Sequence, residues 1–186
     1  MADRALSAAP ERFNLVALSM GGYVAFEMLR RAPERISALA LFDTSASLDS
    51  PERAAQRRAG LSSLAVGRFA GVTNRLLPQL IHRDLIDGPV GQSLKDMATR
   101  VGGAAFGRQQ TAILNRRDPG PVLGGLSVPT LIGVGDSDVL TPPTEALDLH
   151  LRIRTSSFHL IRDCGHLPPL EQPAVTRDLL RDFLEL

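Results

Sequence analysis

The sequence predicts an α/β fold: a mainly parallel sheet flanked by helices, interrupted by a helical insertion. Three observations predict it. An apolar run, Phe13-Asn14-Leu15-Val16-Ala17-Leu18, leads through Ser19-Met20-Gly21-Gly22 into a helical pattern from Tyr23 to Arg31. A second apolar run, Ile36 to Phe42, follows the break Ala32-Pro33-Glu34-Arg35. Strand, helix and strand at this spacing make a right-handed crossover between parallel strands. From Ala46 to Val128 helical patterns replace strands, and strand character returns only at Pro129 to Gly135. The expected division is a core of 1–45 and 129–186 with a helical insertion of 46–128.

Taken in order, Met1 to Arg12 reads as a short helix with an Ala5-Leu6-Ala9 stripe, ended by Pro10. The run Phe13 to Leu18 reads as a buried strand, and the glycines after Ser19 let the following helix pack close to it. Within the insertion, helices are expected near Pro51 to Ala65, Arg68 to His82, Val90 to Val101 and Ala104 to Arg116. A further helix is expected from about Thr144 to Leu151. Phe158 to Ile161 reads as a short fourth strand, Gly165 to Pro169 as a loop, and Pro173 to Leu184 as a closing helix with proline in its first turn. No internal repeat is visible.

Composition narrows the function. The chain has 186 residues, 44% hydrophobic and 22% charged, and a formal charge of +1, so one domain can bury a sizeable core. Lys95 is the only lysine, and the arginines are scattered among acids, so bulk charge points to no nucleic-acid partner. Cys164 is the single cysteine, which rules out an intrachain disulfide. No apolar stretch reaches the roughly 18 residues of a membrane span. Met1-Ala2-Asp3-Arg4 lacks the basic and apolar regions of a secretory signal, so a cytoplasmic location is expected.

Chemistry is concentrated at three strand ends. Ser19 follows the first strand in a strand–turn–helix layout, the arrangement of a nucleophile elbow. The usual pattern is G-x-S-x-G; here Ala17 stands at the first glycine, adding one methyl to the turn. The competing reading makes Ser19 a plain helix N-cap. Asp138 follows the third strand and His166 the fourth. In open α/β sheets the carboxyl edge is where ligands bind. Serine needs a neighbouring base, histidine can take and return its proton, and a carboxylate can fix the imidazole tautomer. Asp43 also ends a strand and competes with Asp138 for the acid role. Asp136 is expected to shape the turn. His82, His150 and His159 are expected in packing or surface roles, on an insertion helix, a helix face and a strand, and Cys164 as an apolar filler. No metal-ligand spacing and no phosphate-binding loop is found, so no metal or cofactor is expected.

Three stretches carry a resemblance: Leu18-Ser19-Met20-Gly21-Gly22, Gly135-Asp136-Ser137-Asp138-Val139-Leu140-Thr141-Pro142-Pro143 and Asp163-Cys164-Gly165-His166-Leu167-Pro168-Pro169-Leu170-Glu171-Gln172-Pro173. Together they resemble α/β-hydrolases, and within them the carboxylesterase, enol-lactonase and non-haem haloperoxidase-like branch. The resemblance implies a Ser19-Asp138-His166 triad and an oxyanion held by the Met20 N–H. It implies a small ester-like substrate, cleaved as a carboxylic ester, lactone or thioester. It makes the insertion a cap, with Leu61, Leu64, Phe69, Leu76, Leu77 and Phe106 as candidate apolar lining. Members open with several strands before the elbow strand, so a partial fold is expected here. The elbow strand would then be an edge, and one of two oxyanion donors would be missing, a loss of about 100- to 1,000-fold in rate. The alternative implied is a catalytically weak or inactive remnant.

Overall fold

The fold is that of a computed structural model, which describes residues 1–67 and 69–185. Four strands, β1 (Phe13–Leu18), β2 (Ile36–Phe42), β3 (Thr130–Gly135) and β4 (Ser156–Ile161), form one sheet in the order β1-β2-β3-β4. Every neighbouring pair is parallel. The α/β architecture with a parallel sheet is therefore as the sequence predicts.

A sheet laid down in chain order with one hand of crossover places its connecting helices on one face. That face holds the main core. Leu39, Leu41, Ile132 and Val134 pack there against α2 (Met20–Arg31), α7 (Pro143–Arg152) and Leu123 of the one-turn α6 (Gly120–Leu123). The opening helix α1 (Ala2–Ala8) joins the same cluster through Ala2 and Leu6. The opposite face is covered by α9 (Pro173–Leu184), whose Leu179, Leu180 and Phe183 pack on Ala40, Phe42, Leu131 and Ile161. Between β4 and α9 lies the single turn α8 (Pro168–Glu171).

One helix does not span four strands, and β1 is left partly open. Asn14 is exposed and Val16 is 46% exposed, so β1 is not the fully buried strand its apolar run suggests. Its other face, with Ala17 buried and Phe13 and Leu15 half-buried, meets the core.

The segment between β2 and β3 is helical. The Ser50 hydroxyl caps α3 (Pro51–Ala65) by accepting from the Arg53 N–H at 3.2 Å. The two helices expected around 90–116 appear as α5 (Pro89–Leu114), broken at Gly102, whose φ of 72° and ψ of 167° leave the helical region. The helix expected from Arg68 to His82 is not formed. Arg68 lies outside the described residues, and of the rest only Leu77–Leu80 makes a turn of helix, α4. Gly71, at φ 63°, breaks the pattern. Leu77 then sinks into a small cluster with Ile81 and Leu94, ringed by Val72, Val90 and Leu167. The candidate lining residues are also placed differently. Leu77 is fully buried in that cluster, Leu76 is 40% exposed, Leu61 and Leu64 of α3 face Gly103 and Gly107 of α5, and Phe69 lies tilted against Phe106 with ring centres 5.7 Å apart. The other four form the seam between helices. Among the described residues no helix is long and apolar enough to cross a membrane.

Candidate active site

Ser19 sits where β1 turns into α2. Its backbone has φ 54° and ψ −118°, outside the regions a serine prefers. Three bonds hold it there. The Ser19 N–H donates to the Phe42 carbonyl at 2.9 Å, the Gly22 N–H to the Ser19 carbonyl at 2.9 Å, and the Thr44 hydroxyl to the same carbonyl at 2.8 Å. The side chain makes no capping bond to α2. Ser19 stands at the N-cap position of α2, but its hydroxyl lies 2.7 Å from His166 Nε2 in place of a capping bond. The Met20 N–H opens α2, where the first amides have no intrahelical acceptor.

The two glycines after Met20 do different work. A Cβ on Gly22 would run into the Thr44 hydroxyl and stand 2.7 Å from its methyl, so Gly22 admits the β2 turn as well as the helix start. A Cβ on Gly21 would meet Ala17 at an ordinary 3.7 Å, and the turn closes with the Ala17 methyl in place.

His166 and Asp138 come from the two loops beyond β3 and β4. His166 Nδ1 lies 2.8 Å from Asp138 Oδ2, and both side chains are buried. Asp138 Oδ1 accepts from the Leu140 and Thr141 amides at 2.8 and 3.2 Å, and Oδ2 also accepts from the Thr141 hydroxyl at 2.8 Å. Burial works against the Asp138 charge, but the bonds from His166, Thr141 and Leu140 outweigh it and hold the carboxyl below the usual range. An ionised Asp138 accepts the Nδ1–H, which leaves Nε2 with its lone pair toward the Ser19 hydroxyl.

Asp43 ends β2 at φ 44°, with 1% of its surface exposed. Its Oδ1 accepts from the Gly135 N–H at 2.9 Å, while Oδ2 is buried with no hydrogen-bond partner. Burial pushes this carboxyl up to about 9 against the Gly135 bond, and the charges of Asp138 and Glu171 add to the rise. Asp43, Asp138 and His166 bring one donor atom each within 4.8 Å of one another, a cluster invisible in their spacing. As a metal site the set fits poorly. His166 Nδ1 and Asp138 Oδ2 are spent on each other, and burial disfavours a charge on Asp43.

Residues 9–173 match a sequence profile of the alpha/beta hydrolase fold. The chain belongs to the α/β-hydrolase family. Pimeloyl-(acyl-carrier protein) methyl ester esterase of Neisseria meningitidis is 29% identical over 181 residues, which are 92% of this chain and 57% of that protein. Among solved structures, a thermophilic esterase from Thermogutta terrifontis is 32% identical with a TM-score of 0.88, covering 98% of this chain and 67% of that one. The enol-lactonase from Burkholderia xenovorans has the same fold at 24% identity and a TM-score of 0.80, covering 95% of this chain and 66% of that one. The α/β-hydrolase chain thus spans between 57% and 67% of the length of these relatives.

Within this α/β-hydrolase the remaining polar groups are supports. Asp136 accepts from the Asp163 and Cys164 amides at 3.1 and 3.3 Å, tying the β3 turn to the histidine loop. Glu171 accepts from the amides of His82, Gly165 and Leu167 at 2.6 to 2.8 Å, on both sides of His166. Its only sequence signal is its place in the Leu-Glu-Gln-Pro string after the histidine. Thr141 and Thr44 carried no sequence signal of their own. His82 precedes a 3-10 turn, Arg83–Leu85, not a helix end. His150 bonds Ser156 at 2.8 Å and His159 bonds Ser157 at 3.1 Å, both away from Ser19. Cys164 is fully buried against β3 and β4, and burial pushes its thiol far up.

Proposed function

We propose that the chain is a serine hydrolase that cleaves a carboxylic ester through an acyl-enzyme. One observation carries the reading: Ser19 Oγ, His166 and Asp138 form an unbroken hydrogen-bonded line of 2.7 and 2.8 Å at the carboxyl edge of the sheet. Ser19 Oγ attacks the substrate carbonyl as Nε2 takes its proton. The imidazolium is held in place by Asp138 and returns the proton to the departing alcohol. The Met20 N–H, at the positive end of α2, stabilises the oxyanion. Water activated by His166 then releases the acid. Lactones and thioesters undergo the same acyl transfer. The name of the Neisseria relative favours the ester of a small alcohol.

The helical segment 46–128 acts as a cap in this reading. It touches the histidine loop directly, since the His166 N–H donates to the Leu80 carbonyl at 3.1 Å and Leu167 packs in the Leu77 cluster.

A fluorophosphonate tests the nucleophile. Intact-mass analysis should find one adduct on the parent chain and none on Ser19→Ala. A folded parent that stays unlabelled would sink the proposal. A second reading, a site that forms yet turns over feebly, is favoured by the edge position of β1, which braces Ser19 from one side only. It predicts labelling at Ser19 with ester turnover near background.

A further inference from the structure

The mechanism above leaves one buried group unused. Asp43 is 1% exposed, one of its carboxyl oxygens has no partner, and it offers a carboxyl oxygen within 4.8 Å of a carboxyl oxygen of Asp138 and a ring nitrogen of His166. A buried carboxyl oxygen without a donor is costly, and two carboxylates side by side cost more. Both difficulties are relieved if Asp43 carries a proton and turns it toward Asp138. We propose that Asp43 is a buried carboxylic-acid donor to the Asp138 carboxylate and, through it, a positioning residue for His166.

This inference rests on the Ser19-His166-Asp138 reading and adds a fourth member to it. The charges facing Asp43 favour the acid form. From the loop after β3 comes ionised Asp138; from the β4–α8 segment come His166, the Cys164 thiol and Glu171, and the Asp138 and Glu171 charges both disfavour a second carboxylate. The single compensating bond is the Gly135 N–H on Oδ1, and it leaves Oδ2 free to carry the proton. The backbone is fixed for the task, with the Asp43 N–H on the Gly133 carbonyl at 3.0 Å and φ at 44°. Asp138 would then accept five hydrogen bonds, one of them from a neutral acid, which holds its carboxylate plane and so the imidazole it orients. Ionisation of Asp43 at alkaline pH removes that bond and sets a second negative charge beside the first.

Two substitutions separate the role from bulk packing. Asp43→Asn keeps a donor and cannot ionise; Asp43→Leu keeps the branched shape, at a larger volume, and loses the donor. With a p-nitrophenyl ester, Asp43→Leu should lower kcat by about 10- to 100-fold with KM little changed, the range for a hydrogen bond to a charged group. The parent should show an alkaline fall in kcat, and Asp43→Asn should recover most of the Asp43→Leu loss and abolish that fall. Equal losses in both variants, or an alkaline limb that survives in Asp43→Asn, would overturn the proposal.

NMR decides the matter without turnover, so a failure of the hydrolase reading is told apart from a failure of this one. In parent chain labelled with carbon-13 at the aspartate carboxyls, one aspartate should remain protonated at neutral pH. As it ionises, the His166 Nδ1–H resonance should shift. A parent whose aspartates are all ionised at neutral pH has no such donor, and the proposal fails whether or not the variants fold.

Discussion

At Ser19 the chain holds a φ of 54° that a serine enters at a cost of about 1–3 kcal/mol. Glycine enters it freely, while alanine does not. The strain is retained because it turns the hydroxyl away from α2, where it would cap the helix, and toward His166 at 2.7 Å. Replacing Ser19 therefore separates stability from activity. Ser19→Gly should melt higher than Ser19→Ala by about 1 kcal/mol of unfolding free energy, after allowing for the extra entropy of an unfolded glycine. Both should lose the fluorophosphonate adduct. Paired thermal melts read the difference, and a Ser19→Gly chain that melts below Ser19→Ala would mean that the turn stores no backbone strain.

At the scale of the element, the β1–α2 turn depends on what crosses behind it. Gly22 faces Thr44, the residue whose hydroxyl holds the Ser19 carbonyl at 2.8 Å. Gly22→Ala pushes Thr44 aside, an overpacking worth about 1–3 kcal/mol, and frees the carbonyl that anchors the elbow. Gly21→Ala has 3.7 Å of room and should be tolerated. Chemical denaturation should show a clear loss for Gly22→Ala and little for Gly21→Ala, with labelling at Ser19 slowed in the former alone. This contrast marks how far the sequence was legible. Small residues after Ser19 announce a tight turn, but their partners come from β2, and no spacing along the chain reveals that. The same limit applies to Asp43, Thr141 and Glu171. Each gains its role from a contact across at least two elements or from a loop closing on itself. Ser19, Asp138 and His166 were legible because parallel strands put their carboxyl ends on one edge wherever the chain lies. The segment 68–82 misled because its apolar residues fit helical spacing, whereas Gly71 and the burial of Leu77 decide its path.

For the molecule as a whole, sheet order and helix count settle where surface is left open. Three crossovers load one face, and α9 alone serves the other, so β1 keeps an outer edge with unpaired backbone groups and an uncovered apolar side chain. The exposure of alternate residues along β1 follows from the pleat, with Asn14 and Val16 on the α9 side beyond that helix's reach. A flat apolar edge is a template for pairing with another chain, and a charge placed on it opposes such pairing. Val16→Lys puts an ammonium on the open side of β1 at a residue already 46% exposed. Stability should change by no more than about 0.5 kcal/mol, because an exposed site loses little packing. Light scattering at rising concentration should show less association than in the parent. If the parent and Val16→Lys associate equally, the contact lies elsewhere. If the substitution instead unfolds the chain, then Val16 is covered in solution, and the open edge of β1 is not a surface of the protein as it exists.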